Sequence, residues 1–225
     1  MKRIRIHYSK LEHLRYTSHL DVQKIWERSL RRARLPLAYS QGFHPQPRLN
    51  QACPLPLGVT SRDEIIDVWL DCDILSVAKV LDMLQKALPD GIQIHQINEI
   101  PLNEPSPDNL VVAAEYEITL LENLPLSELE RRVTELVSAQ SIIRTRREKQ
   151  YDLRPLIEEI SLSKEPNQSV QKLRLRLSAR PGATGRADEV LSALGLDATS
   201  ACIERTRLIF QESLSLGQKT LQRKD

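Results

Sequence analysis

The sequence is poor in glycine, in rings and in cysteine, and each shortage excludes something. Seven glycines in 225 residues rule out collagen-like and glycine-rich low-complexity chains. Two Phe, two Trp and five Tyr mean that the core has to be built from Leu, Ile, Val and Ala, and that few rings remain for stacking bases. The three cysteines, Cys53, Cys72 and Cys202, lie far apart without a C-x-x-C spacing. That excludes a disulfide framework and a zinc or iron–sulfur site, and they read as buried small hydrophobes. No stretch approaches the roughly 18 to 20 apolar residues of a membrane span. Met1 to Ile6 alternates charge with Ile instead of opening a signal sequence, so a cytoplasmic chain with no membrane partner is expected. There is no P-loop, dinucleotide fingerprint or H-E-x-x-H, hence no expected cofactor. His7, His13 and His19 have no metal-ligand spacing, hence no expected metal.

What is present is an ordinary globular composition, 40% hydrophobic and 28% charged, with an uneven charge distribution. Residues 1–50 carry eleven Lys or Arg against three acids, and residues 51–110 three against ten. Residues 111–225 are nearly balanced, so the overall net charge of +2 hides a basic end and an acidic middle. A mixed surface would suffice for solubility; the basic end should attract polyanions.

Hydrophobic periodicity gives two halves of similar rhythm. Lys2 to Tyr8 alternates as a half-buried strand, Ile4 and Ile6 facing one way and Arg3 and Arg5 the other. Ser18 N-caps a helix with Asp21 three residues on, and Val22, Ile25, Trp26, Ser29, Leu30 and Ala33 form its apolar stripe. Lys24, Arg28, Arg31, Arg32 and Arg34 lie off that stripe, and Pro36 should end the helix. A Pro-punctuated segment from Leu37 to Gly58 holds one short strand between Arg48 and Cys53. Then follow a strand over 63–71, a helix over 75–88 and a strand over 92–100. After the prolines of residues 101–109 the rhythm returns: strand 110–120, helix 127–139, a basic strand 141–149, an extended segment 151–162, strand 170–178, a short helix to Leu194 and strand 201–210. The expected fold is α+β, two tandem ferredoxin-like (split βαβ) units with antiparallel sheets. The expected boundaries are a basic N-terminal unit at 1–100, a Pro-rich linker at 101–109, a C-terminal unit at 110–210 and a tail at 211–225.

Three runs carry more than periodicity: Leu14-Arg-Tyr-Thr-Ser-His-Leu-Asp21, Leu35-Pro-Leu-Ala-Tyr-Ser-Gln-Gly-Phe-His-Pro-Gln-Pro-Arg48 and Pro54-Leu-Pro-Leu-Gly58. With them the chain resembles the radical SAM-linked protein family, a domain of unknown function found alone or fused to the C-terminus of bacterial radical S-adenosylmethionine enzymes. The likeness spans essentially the whole chain and is densest from Ile4 to Leu70; the family more often carries an acid and an asparagine where Gln41 and His44 stand. The resemblance implies a radical SAM protein as partner. No three-cysteine cluster motif is present for that chemistry in this chain.

Within the second run Gly42 permits positive φ, and Pro45 and Pro47 stiffen the backbone, so Tyr39, Ser40, Gly42, His44 and Arg48 read as a pre-ordered anion-binding loop. The bland alternative is a crossover packed by Leu35, Leu37, Phe43 and Leu49. Lys24, Arg28, Arg31 and Arg32 suit a phosphate backbone, with Lys10, His13 and Arg15 expected nearby. The helix start at Ser18 and His19 is expected to share a rim with Tyr39, Ser40 and Arg48. Arg144, Arg146, Arg147, Lys149, Arg174 and Arg176 form a second basic set with acids nearby to pair with.

These features point to a non-catalytic RNA-binding or substrate-presenting accessory module for a separately encoded radical SAM enzyme, with RNA as partner and no sign of DNA specificity. Two other classes stand beside it. One is an RNA-processing or RNA-modifying enzyme using His7, Tyr8, His13, His19 or His44 for acid–base work, similar in layout to CRISPR repeat endoribonucleases but without their C-terminal glycine-rich loop. The other is a protein–protein adaptor.

Overall fold

The computed structural model describes residues 1–122, 124–146, 148–163 and 170–211. The tail beyond Gln211 and Arg147 of the second basic set lie outside the described residues. The first half runs β1 (Lys2–Lys10), α1 (His19–Arg32), β2 (Leu49–Gln51), β3 (Val59–Leu70), α2 (Val77–Gln85) and β4 (Ile92–Ile100). The second runs α3 (Pro107–Leu110), β5 (Val111–Leu120), α4 (Leu126–Ser138), β6 (Ile143–Arg146), β7 (Lys149–Asp152), β8 (Ile157–Ser163), β9 (Lys172–Arg180), β10 (Ala183–Thr184), α5 (Ala187–Ala193) and β11 (Ala201–Phe210).

The strands build one large mixed α+β sheet instead of the two separate antiparallel sheets expected. Its order is β10-β9-β5-β11-β3-β1-β4, with β2 added on β3 and β8 on β9. Among the described residues every ladder is antiparallel except the join between the halves, where β11 pairs in parallel with β3, Ile203 opposite Val59 and Arg205 opposite Ser61. The join consumes two edges that would otherwise expose unpaired amides. The basic strand expected over 141–149 is a separate hairpin, β6 with β7.

Strand alternation sends Ile4, Ile6, Ile66, Val68 and Leu70 to one face, where they are buried with Val22, Trp26 and Leu30 of α1 and Val80 and Leu84 of α2. Tyr8 meets Trp26 edge to face at 4.9 Å. Leu173, Leu175 and Leu177 of β9 pack likewise with Leu129 and Leu136 of α4 and Val190 and Leu191 of α5. Each such side chain contributes about 1.5–3 kcal/mol by leaving water.

The opposite face of β1 departs from the expectation of solvent-facing arginines. Arg3 and Arg5 are buried, and both donate to the carboxylate of Asp67, which has no exposed surface. A buried carboxylate needs such partners, and two guanidinium groups satisfy its lone pairs. The Pro-rich segment crosses this face. Arg3 donates to the carbonyls of Glu104 and Pro105, and the Asn50 amide donates to Asp108 at 3.1 Å. The Pro-rich segment is therefore held on the sheet by these contacts, and its last residues form the single turn α3 with Pro107 in the first helical position.

Candidate nucleic-acid interface

Helix α1 begins as expected, the Ser18 hydroxyl accepting from the Asp21 amide at 3.2 Å. Its buried stripe is Val22, Trp26, Ser29 and Leu30, so helical spacing puts Lys24, Arg28 and Arg31 in one solvent-facing row at i, i+4 and i+7. The helix ends before Pro36. The Arg34 amide donates to Arg31 and the Leu35 amide to Leu30, with Arg34 at φ 53°. That is a Schellman stop with arginine in the left-handed position that glycine usually takes. The side chains of Arg28, Arg31 and Arg34 are exposed and make no hydrogen bond or ion pair among the described residues. Lys24 lies 3.7 Å from Asp21, and Arg32 donates to the Ala87 carbonyl at 3.1 Å, tying α1 to the end of α2.

Four residues beyond Arg34 the chain enters a closed loop. Ala38 and Arg48 form its base, the Arg48 amide donating to the Ala38 carbonyl at 2.9 Å and the Ala38 amide to Trp69 of β3. Tyr39 bridges Pro47, the Ser40 amide donates to the Gln46 carbonyl, and the Gln46 amide returns a hydrogen bond to the Ser40 hydroxyl at 3.0 Å. Pro45 and Pro47 have no amide to satisfy. Gly42 sits at φ 130° with open space where a Cβ would stand, a conformation only glycine adopts readily. Phe43 follows it with relative exposure of 101%. Of the four residues expected to pack a crossover, Leu35 and Leu37 are buried and Leu49 packs against the same core, so the correction to that reading concerns Phe43 alone. Arg48 is exposed, stacks over Trp69 at 5.0 Å and lies 3.8 Å from the Met1 sulfur, and it pairs with no acid among the described residues. Asp71 and Asp73 follow β3 at the same end.

The expected shared rim does not form. Lys10 donates to the Thr17 carbonyl and to the Val59 carbonyl, which places Ser18 and His19 at the start of β3. Arg48 accepts from the Trp69 amide near the end of that strand. At about 3.3 Å per residue the two groups stand roughly 30 Å apart. The loop instead shares its end of the molecule with the C-terminus of α1, because only a few residues separate Arg34 from Ala38.

Lys10 and Arg15, expected near the polyanion surface, have structural partners. Lys10 is buried, its amine donating to the carbonyls of Arg15, Thr17 and Val59. Burial lowers its pKa to about 8. Arg15 donates to Gly58 at 3.0 Å and to Ala201 at 2.7 Å, joining the two halves. In the second basic set, Arg144 pairs with Glu189 at 3.0 Å and Arg176 with Glu158 at 3.0 Å, while Arg174 also has a partner.

The histidines considered for acid–base work do not gather. His13 and His19 are exposed near the α1 start, His44 is at the loop tip, and Tyr8 is buried on the helix-covered face with its hydroxyl pKa raised by burial. His7 alone meets a carboxylate, its Nδ1 lying 3.0 Å from Asp63. Two residues along β1, the Ser9 hydroxyl contacts His95 Nε2 at 2.5 Å and donates to the Arg62 carbonyl. Sequence reasoning missed this pairing because Asp63 and His95 come from strands whose register no local pattern fixes. It also missed the projecting Phe43, although Gly42 between stiff prolines was the available signal.

A family model described as an uncharacterized protein conserved in bacteria (DUF2344) matches residues 3–185. No curated protein matches the chain. Among solved structures it is similar to a chain of a Cbf5-Nop10-Gar1 complex at 12% identity and TM-score 0.42, over 84% of this chain and 44% of that one. It is similar also to a chain of an H/ACA RNP bound to a substrate RNA containing 2'-deoxyuridine, at 12% identity and TM-score 0.42, over 87% and 48%. A chain of an archaeal box H/ACA sRNP Nop10-Cbf5 complex follows at 13% identity and TM-score 0.41, over 87% and 48%. This chain spans less than half the length of each of them. No helix among the described residues is long and apolar enough to cross a membrane.

Proposed function

The chain belongs to the DUF2344 family of bacteria, and on the geometry above we propose that it is a non-catalytic RNA-binding or substrate-presenting accessory module whose contact surface is the C-terminal end of α1 with the 38–48 loop. The observation that carries this reading is the set of three exposed guanidinium groups, Arg28, Arg31 and Arg34, without partners among the described residues and beside a loop bearing a fourth at Arg48. Several other exposed arginines are paired, Arg62 with Glu204, Arg131 with Glu128 and Arg180 with Glu158, whereas Arg146 of β6 is exposed like the α1 set. Unpaired arginines in a row release counterions from a phosphate backbone. Partnership with a separately encoded radical SAM enzyme is supported by the resemblance of residues 14–58. The strand orders β2-β3-β1-β4 and β8-β9-β5-β11 support reading the halves as two split-βαβ units fused edge to edge.

The test is RNA affinity against salt. A linear log–log slope, lost when Arg28, Arg31 and Arg34 are all changed to Glu while the thermal midpoint holds within a few degrees, is the expected result. Absence of binding at low salt overturns the reading in favour of the adaptor.

A second reading, an RNA-processing enzyme, is favoured by the His7–Asp63 pair beside Ser9 and His95, since a carboxylate that orients an imidazole is what general base catalysis uses. RNA cleavage that disappears in His7→Ala and Asp63→Asn would replace the non-catalytic assignment.

A further inference from the structure

We propose that Phe43 is a stacking anchor for an unpaired base of single-stranded RNA; this rests on the RNA-binding reading above and names the form of RNA that the same surface takes. Three observations carry it. The ring is fully exposed, at 101%, the most exposed large apolar side chain among the described residues, in a chain with only nine Phe, Trp and Tyr rings. The loop that presents it is closed at its base by the Arg48–Ala38, Ser40–Gln46 and Gln46–Ser40 hydrogen bonds, so the ring is held out on a fixed support and little ordering remains to be done on binding. Exposed arginines flank the loop along the chain, Arg31 and Arg34 at the helix end before it and Arg48 at its base.

That combination fits a nucleobase better than an apolar pocket of a partner protein. A pocket-filling anchor is surrounded by contacts that exclude water, but the residues flanking Phe43 are Gln41, Gly42, His44 and Pro45, all exposed. A base offers one flat face to the ring and its phosphate to an arginine, which is how sequence-tolerant single-strand binding works. A duplex keeps its bases stacked on each other and offers the ring only its terminal pair, so the anchor discriminates in favour of the single strand.

The experiment measures the affinity of the full chain for a short fluorescein-labelled RNA and for the same RNA annealed to its complement, in the wild type, Phe43→Ala and Phe43→Trp. Phe43→Ala is expected to lose roughly tenfold or more in single-strand affinity, in line with base stacking on aromatics, with duplex affinity unchanged. Phe43→Trp is expected to retain single-strand affinity and to show tryptophan quenching on adding the single strand. Unchanged single-strand affinity in Phe43→Ala, or an equal loss on both RNAs, overturns the anchor. Failure of the wild type to bind either RNA overturns the RNA-binding reading and the anchor with it. If wild-type binding is instead lost in the Arg28, Arg31 and Arg34 triple Glu variant but untouched by Phe43→Ala, the anchor alone falls.

Discussion

Arg205 of β11 and Glu64 of β3 form a buried bidentate pair across the junction of the two halves, the Arg205 Nε lying 2.7 Å from Glu64 Oε1 and the second nitrogen donating to Oε2 as well as to the Cys53 carbonyl. Neither side chain keeps appreciable exposure. Because β11 and β3 are the only strands that join the halves within the described sheet, this pair fixes the register of the join. Coulombic attraction in a poorly hydrated site offsets the desolvation of both ions only while both are present.

Removing one partner should therefore cost far more than removing both. Glu64→Gln or Arg205→Met is expected to lower unfolding stability by about 3–5 kcal/mol, and the double change Glu64→Leu with Arg205→Met to recover most of that loss. Urea unfolding midpoints check it; additive losses would show that the pair is not coupled.

The Pro-rich segment gives a second expectation. Its glutamate and proline carbonyls at 104 and 105 are held by Arg3, so protease should spare residues 101–109 in the wild type despite their composition. In Arg3→Ala the same segment should become the first site cut, as read by mass spectrometry of limited-digest fragments.

Arg34 tests whether a strained residue is kept for its side chain. A non-glycine residue in the left-handed region costs about 1–2 kcal/mol, partly recovered in the unfolded state, so Arg34→Gly should raise stability by about 0.5–1 kcal/mol. The same change should weaken RNA binding and lower its salt slope by about one unit. Stability and affinity moving in the same direction would refute the tradeoff.

Lys10 makes a pH signature. Burial sets its folded pKa near 8, below the unfolded 10.5, so between those values the unfolded chain binds more protons. Stability then rises with pH, by up to about 1.4 kcal/mol per unit. The buried hydroxyls of Tyr8 and Tyr116 have raised pKa values, so above about pH 10 the folded state is the one that holds protons and stability falls again. Urea midpoints from pH 7 to 11 should show a crest near pH 10, and Lys10→Met should flatten the rising limb while keeping the fall.

Local signals were enough for the elements themselves. The strand over 201–210 and the Ser18–Asp21 cap appear in the structure where the sequence puts them, because each rests on contacts within a few residues. The loop's stiffness was legible in Pro45, Pro47 and Gly42 for the same reason. The stop of α1 was not: Pro36 was the visible breaker, but Arg34 had already taken the left-handed position, an option that a propensity ranking assigns to glycine.

The sequence by itself determined which residues alternate, which helix face is apolar and that the first fifty residues are basic, since periodicity and composition are properties of neighbours along the chain. Only the tertiary structure decided which of those basic residues meet solvent. Arg3, Arg5, Lys10 and Arg15 look the same in the sequence as Arg28, Arg31 and Arg48, yet the first four reach Asp67 or backbone carbonyls brought from tens of residues away. Burying a cation requires such partners, and the packing of strands and their connecting turns supplies them. The same pairing put His19 and Arg48 at opposite ends of β3, because the length of a strand sets the distance between what its two ends hold.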